Sequence, residues 1–213
     1  LRPIRSDVPP ARAALAANLE TALTCAWDAE PSIGERAVVL GAGTVGVLAA
    51  WLLDRAGARV TLVDRRPARR AAGAALVPRA DVPALAAPDG RADLVIEATG
   101  DPRALDDAIA WAAPEARVVV ASFYGRRRAP IDLGDTFHRR RLSLVASQVS
   151  SIPVRLSRRM TLDRRFGVVE ELLGEPRLDA IIAPPVPLER AAELYALLDG
   201  DKAASPCHVF EYG

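Results

Sequence analysis

Short apolar runs alternate along the chain with longer segments of helical spacing. The first apolar run, 37–40, leads into a segment from Val45 to Leu52. Apolar positions in that segment recur every three or four residues, as on one face of a helix. The run at 117–122 is almost continuously β-branched, which is typical of a strand buried on both faces of a parallel sheet. The four clearest strand candidates are 37–40, 59–63, 93–98 and 117–122.

The less regular segments complete the predicted order. Residues 11–27 have helical composition with a break near Asn18, and 142–146 are a sixth strand candidate. Between 66 and 90 the only strand candidate is 75–77. Residues 179–182 and 207–212 also have strand character, although the last has no evident partner. We predict an α/β fold, a doubly wound parallel sheet of about six strands with preceding N-terminal helices and a short C-terminal extension.

A glycine pattern stands at the turn between the first strand and its helix. Gly41, Gly43 and Gly46 form G-x-G-x-x-G, in which the glycines allow a tight turn, a close backbone approach to pyrophosphate, and close packing of helix on strand. Asp64 closes the next strand 23 residues after Gly41, near the spacing of a ribose-binding acid. The order predicts a dinucleotide site in a Rossmann fold; the alternative is a glycine-rich turn in an unrelated α/β domain.

Composition narrows the function classes. The 28 basic and 27 acidic residues nearly cancel, so no overall field would attract the chain to nucleic acid or a membrane. The longest apolar stretch, 45–53, is far too short to cross a bilayer, and no signal peptide is recognisable. Cys25 and Cys207 show no C-x-x-C spacing, which fits a reducing, cytoplasmic location. Because Leu1 is not an initiator methionine, we expect the natural chain to extend upstream.

Several motifs together resemble a known superfamily. Glu-Thr-Ala-Leu at 20–23, the glycine turn, Val63-Asp64 with Arg69, and Glu-Ala-Thr-Gly at 97–100 are similar to the cofactor-binding half of medium-chain dehydrogenases/reductases, the zinc-type alcohol dehydrogenases. The blocks at 122–125, 137–142 and 147–149 resemble a branch described as zinc-binding alcohol dehydrogenases. Dehydrogenases of bacteriochlorophyll precursors are related alternatives.

The resemblance implies an incomplete enzyme. Members carry the catalytic zinc on an N-terminal GroES-like domain that this sequence lacks, so zinc would come only from that missing domain. It implies a helical lead-in at 1–34, a dinucleotide-binding domain at 35–181, and a segment at 182–213 returning toward the missing domain. It also implies homodimer pairing through the sixth strand, 142–146. We expect the chain to bind cofactor without efficient catalysis, and its catalytic residues stay unknown.

The same resemblance assigns the residues of the pyrophosphate site. Gly41, Gly43 and Gly46 would hold the pyrophosphate together with the backbone amides of Thr44 and Val45. An anion there would also meet the positive end of the helix dipole.

Asp64 would bind the adenosine ribose, with Arg69 beside it. The alternative for Arg69 is a solvated helix arginine. The acid at 64 repels a 2′-phosphate and favours NAD, whereas Arg65 and Arg66 could bind that phosphate, so NADP stays open.

Further candidates follow the later strands. Thr99 and Ser122 come directly after two predicted strands, at the carboxyl edge where open α/β sheets bind ligands. Phe123 and Tyr124 would line the nicotinamide side, or serve only packing.

The remaining charged and polar residues carry weaker signals. Arg126–Arg128 and Arg139–Arg141 are two basic triplets, interpreted as a solvated surface or as contacts to an anionic substrate or a domain. His138 and His208 lack a metal-ligand pattern, so we assign no metal. The sequence predicts an NAD(P)-dependent oxidoreductase acting on a small-molecule alcohol or carbonyl; the alternative is a non-catalytic NAD(P)-binding sensor.

Overall fold

A five-stranded parallel sheet forms the centre of the chain in the computed structural model, which describes residues 2–84, 87–200 and 205–212. Its strands are β1 (Arg36–Leu40), β2 (Arg59–Val63), β3 (Ala92–Glu97), β4 (Ala112–Val120) and β5 (Ser143–Ala146). They lie in the order β2-β1-β3-β4-β5, and every neighbouring pair is parallel. The predicted doubly wound α/β fold is confirmed.

Helices precede, connect and follow these strands. The α-helices of the described residues are α1 (Pro10–Ala13), α2 (Ala16–Ala29), α3 (Thr44–Arg55), α4 (Pro67–Leu76), α5 (Ala104–Trp111), α6 (Leu162–Leu172) and α7 (Ala191–Asp199). Shorter helical turns are Leu133–Phe137, Val154–Leu156, Pro176–Ile181 and Leu188–Arg190. A second, two-stranded sheet pairs β6 (Val186–Pro187) with β7 (Phe210–Glu211). No helix of the described ranges is long and apolar enough to cross a membrane.

The two faces of the main sheet bury two separate cores. Val39 and Ile96 belong to a cluster formed with residues of α2 and α3, whereas Val38 and Val95 belong to a cluster formed with residues of α5. Consecutive residues therefore point to opposite faces, and both faces are covered. This explains the near-continuous apolar runs in the sequence, since each such side chain contributes about 1.5–3 kcal/mol when buried.

The break between the first two helices is not where the sequence predicted it. The helical segments stop and restart at Ala14 and Leu15, and Asn18 lies inside α2. Leu15 is fully buried, so core packing decides the position of the break. Composition alone could not locate it, because alanine favours helix on both sides.

The strand predicted at 75–77 is wrong. Residues 75 and 76 end α4, where Leu76 packs fully buried, and the edge of the sheet beyond β2 is a single bridge between Thr61 and Asp81. Leu62 donates its backbone N–H to the Asp81 carbonyl at 2.8 Å. Pro78 and Pro83 flank this segment and cannot donate to a ladder, so the segment forms one bridge and does not extend into a strand.

The strand predicted at 179–182 is also wrong. Residues 176–181 form a 3-10 helix that begins at a proline, and Leu178 and Ile181, three residues apart, are both fully buried. The C-terminal strand does have a partner within the chain, because β7 pairs with β6 and Cys207 bridges Ile182. Between β6 and β7, a 3-10 turn at Leu188–Arg190 leads directly into α7.

Candidate functional site

A cavity of about 530 Å³ opens at the carboxyl ends of the central strands. β1 and β3 are neighbours in the sheet, but their connections run to opposite sides, so the loops that follow them diverge and leave a crevice. The walls include Gly41, Asp64, Arg69, Thr99 and Trp111. The fold thus brings together residues from the ends of β1, β2 and β3 that lie far apart in sequence.

Glycine is required at two positions of the turn after β1. Gly41 has φ +96°, and a Cβ there would lie 2.8 Å from the Ala98 carbonyl oxygen. At Gly46 a Cβ would lie 1.8 Å from the Gly41 carbonyl oxygen, so α3 can rest against the turn only without a side chain. Gly43 is the N-cap of α3 and supplies no capping side chain. The first turn of α3 therefore presents the backbone N–H groups that suit an anion.

Thr44 and Val45 do not line the cavity. The Thr44 hydroxyl donates a hydrogen bond of 2.6 Å to the Pro206 carbonyl, which lays the C-terminal segment across the start of α3. The Val45 side chain packs against the larger core cluster. Their predicted role concerned backbone amides, and these side-chain contacts hold the helix that presents them.

Asp64 has a structural role beyond the predicted ribose contact. Its carboxylate accepts a hydrogen bond of 2.8 Å from the Ala42 N–H on one oxygen and of 2.8 Å from the Arg66 N–H on the other. The residue is only 8% exposed. The acid therefore ties the end of β2 to the glycine turn and holds its charge in one place on the cavity wall.

Arginine side chains surround this acid. Nη1 of Arg69 lies 3.9 Å from Oδ2 of Asp64 and 3.7 Å from the position that a Cβ of Gly43 would take. The Arg69 side chain is 23% exposed, and its buried Nε has no hydrogen-bond partner in the described structure. Arg65 and Arg66 also line the cavity, and burial, followed by repulsion from Arg69, lowers the pKa of Arg66. This wall has donors for an oxygen-rich ligand.

Sequence reasoning did not nominate Glu97 as a site residue. This carboxylate is fully buried at the end of β3, where Oε1 accepts hydrogen bonds from the Thr99 N–H at 2.7 Å and the Thr99 hydroxyl at 2.6 Å. Its Oε2 accepts a hydrogen bond from the Tyr124 hydroxyl. Burial, then the contact with Glu97, raises the Tyr124 pKa above its usual range. A charged residue ending an apolar strand is the signal that could have identified it.

Ser122 joins the loops that follow β3 and β4. Its hydroxyl accepts a hydrogen bond of 2.9 Å from the Gly100 N–H, and the Gly100 carbonyl accepts one of 2.8 Å from Arg127. Ser122 and Tyr124 do not line the cavity; they hold the loop that carries Thr99, which does. Phe123 is 89% exposed and does not pack in the core.

No cluster of three or more potential metal ligands occurs in residues 2–84, 87–200 and 205–212. Both cysteines are buried free thiols, and burial raises the pKa of each. Nε2 of His208 is buried without a hydrogen-bond partner within the same ranges.

Comparisons with known proteins agree on a dehydrogenase fold. An alcohol dehydrogenase from Thermus sp. ATN1 superposes with a TM-score of 0.78 at 24% identity, covering 100% of this chain and 62% of that one. A short chain alcohol dehydrogenase from E. coli CFT073, complexed with NADH, gives 0.77 at 19% identity over 98% and 62%. A protein described as a zinc-binding dehydrogenase from Sinorhizobium meliloti 1021, bound to NADP, gives 0.72 at 22% over 90% and 57%.

Sequence comparisons include a short match to a curated protein and an extended match to a family model. A D-amino acid dehydrogenase of Dechloromonas aromatica is 62% identical over 32 residues, which is 15% of this chain and 8% of that protein. This chain spans 57–62% of the three solved structures named above. The family model described as glucose dehydrogenase C-terminus matches residues 13–152. The predicted resemblance to zinc-type dehydrogenases is thereby confirmed, and the chain belongs to the glucose dehydrogenase C-terminus family.

Proposed function

We propose that this chain binds the nicotinamide dinucleotide of an NAD(P)-dependent dehydrogenase that acts on a small alcohol or carbonyl compound. The cavity at the β1–β3 switch point carries the proposal, because it joins the glycine turn, Asp64 and Thr99 where such sheets bind ligands. The bound cofactor would supply hydride transfer at its nicotinamide ring, while the protein supplies binding and orientation. The relatives named above are described as dehydrogenases, which favours this enzyme role over a sensor.

The residues at the cavity fit such a cofactor. The turn from Gly41 to Gly46 and the amides of Thr44 and Val45 would hold the pyrophosphate at the start of α3. Each oxygen of Asp64 accepts one backbone hydrogen bond and keeps capacity for a ribose hydroxyl. The unpaired Nε of Arg69 offers a further donor on the same wall.

We propose NAD as the preferred cofactor, with NADP as the weaker ligand. Backbone hydrogen bonds hold the Asp64 carboxylate in place, so it cannot turn away from a 2′-phosphate and would repel it. Arg65, Arg66 and Arg69 reduce this repulsion, so NADP would still bind, although more weakly than NAD.

Calorimetric titration with NADH and NADPH tests both statements. We expect NADH to bind about tenfold more tightly, which corresponds to about 1.4 kcal/mol, and Asp64→Asn to reduce or reverse that ratio. Asp163→Asn, at an exposed acid whose partner is Arg2, is the matched control and should leave the ratio unchanged. A general loss of stability would weaken the binding of NADH and NADPH alike, so it would leave the ratio of their affinities unchanged. If the native chain bound neither nucleotide, the proposed function would be wrong.

The division into a lead-in at 1–34, a dinucleotide-binding domain at 35–181 and a returning segment at 182–213 remains a proposal. The described residues hold no group of three or more potential zinc ligands. A cytoplasmic location remains a proposal based on two unpaired cysteines.

Homodimer pairing is proposed through β5, the strand predicted as the sixth. β5 lies at the edge of the main sheet, and Leu144 on it is an exposed large apolar side chain. An uncovered strand edge with apolar exposure can pair with a second copy. Sedimentation equilibrium should show a dimer that Leu144→Lys dissociates; a native monomer would contradict the proposal.

A further inference from the structure

The two arginine triplets of the sequence have different roles in the structure. Arg139, Arg140 and Arg141 each contact an acceptor elsewhere in the chain at 2.6–3.2 Å. Their acceptors are the Asp135 carboxylate, the Ala112 carbonyl and the Glu115 carboxylate. This triplet is therefore used to hold β4 and the segment before β5 in place.

The triplet Arg126–Arg128 has one anchored member and two open ones. Arg127 donates to the Gly100 carbonyl at 2.8 Å and to the Tyr124 carbonyl at 3.2 Å. Arg126 and Arg128 are exposed, and neither has a hydrogen bond or an ion pair within the described ranges. Because Arg127 anchors the loop, binding an anion there would have to order only the side chains of Arg126 and Arg128 and not the backbone that carries them.

This loop lies on the ligand-binding edge of the sheet. It follows β4 directly, and the hydrogen bonds from Gly100 to Ser122 and from Arg127 to Gly100 join it to the loop that carries Thr99. A turn from Tyr124 to Arg127, with Gly125 at φ +61°, places Arg126 at its tip. The loop that carries the two open arginines is thus joined to the loop that contributes Thr99 to the cavity wall.

We propose that Arg126 and Arg128 form an anion site that binds a carboxylate or phosphate group of the substrate. Arg127 holds the loop in position, and the exposed Phe123 offers an apolar surface to the rest of the molecule. Guanidinium groups suit both anions, because each presents paired N–H donors to two oxygens. The assignment to substrate rests on the proposed function; the binding of a small anion at this loop does not.

Calorimetric titration of the 213-residue chain at low ionic strength tests the site, with NADH at saturation to cover the arginines around Asp64. The probes are glycerol 3-phosphate, glycerate and glycerol, which differ in the anionic group alone. We expect millimolar binding of at least one of the two anions and no binding of glycerol. The probe that binds shows whether the site prefers a phosphate or a carboxylate. If neither anion binds, the proposal is overturned.

Two variants locate the binding. Arg126→Gln/Arg128→Gln should weaken anion binding about tenfold or more, because two charged donors are lost. Arg139→Gln, at an exposed arginine of the other triplet, should change it by less than about twofold. Equal affinity in the double variant, or an equal loss in the control, overturns the site.

The NADH titration of the same samples keeps the two proposals separate. Loss of anion affinity in the double variant with unchanged NADH binding supports the site. If the native chain failed to bind NADH while the anion still depended on Arg126 and Arg128, the anion site would stand and the proposed function would fail.

Discussion

The Tyr124 hydroxyl donates a hydrogen bond to Oε2 of Glu97, a fully buried carboxylate at the carboxyl end of β3. Thr99 supplies both donors to the other oxygen. Burial and this contact raise the pKa of Tyr124, so the phenol stays protonated and remains a donor at neutral pH. The pair joins the ends of β3 and β4 and fixes the backbone that carries Thr99 into the cavity.

Removing this donor should destabilise the fold. Tyr124→Phe leaves one oxygen of a buried carboxylate without its partner, and we expect the free energy of unfolding to fall by about 1–3 kcal/mol. Urea unfolding followed by circular dichroism measures this change. Tyr195→Phe is the control, because Tyr195 is 62% exposed, and it should cost less than about 0.5 kcal/mol. Equal effects of the two variants would show that the Glu97 contact contributes nothing.

The glycine turn should not tolerate a methyl group at position 46. In Gly46→Ala the new Cβ would meet the Gly41 carbonyl oxygen, so α3 must move away from the turn at a cost on the order of 3 kcal/mol or more. Gly167→Ala lies within α6 with open space around its Cβ, and it should be neutral or stabilising by up to about 1 kcal/mol. Thermal melting of both variants checks the pair. A Gly46→Ala protein as stable as the native chain would contradict the close packing.

Stability should fall in acid partly through one ion pair. Arg12, which is almost fully buried, donates to both oxygens of Asp179 at 2.9 and 2.7 Å, and this contact lowers the pKa of Asp179. Its folded pKa is below the unfolded value of about 3.9, so the pair contributes stability above that pH and loses it as the pH falls through the folded pKa.

Asp179→Asn should therefore lose less stability than the native chain between about pH 5 and pH 2, by on the order of 1 kcal/mol or less because Asp179 is partly exposed. Urea midpoints at several pH values measure the difference. Asp163→Asn, at a surface acid, should follow the native pH dependence. Parallel curves for the native chain and Asp179→Asn would exclude a contribution from the pair.

The two thiols should be unreactive in the folded chain. Burial raises the pKa of Cys25 to about 11 and also raises that of Cys207, so little thiolate forms at pH 8 and reagents cannot reach it. Ellman's reagent should titrate two thiols rapidly in urea and react at least about a hundredfold more slowly without it. Cys207→Ser should retain the slow phase of Cys25. Rapid reaction of the folded protein would contradict the burial.

The sequence predicted the elements whose pattern is local. β1, β2 and β3 follow their apolar runs closely, and the segment from Val45 to Leu52 lies in α3 as predicted. The predictions at 75–77 and 179–182 were wrong, because the apolar residues there belong to helices and not to strands. A short apolar run has the same pattern in a buried strand and in the last turn of a buried helix, and the neighbouring elements decide between them.

The sequence by itself determined the glycine turn and the fold class, because φ preference, strand alternation and helical spacing are properties of consecutive residues. The tertiary structure decided which residues meet. Glu97 with Tyr124, Thr44 with Pro206, and the separate roles of the two arginine triplets depend on contacts between segments far apart in the chain. These contacts form only when folding brings the segments together, so no local pattern in the sequence could reveal them.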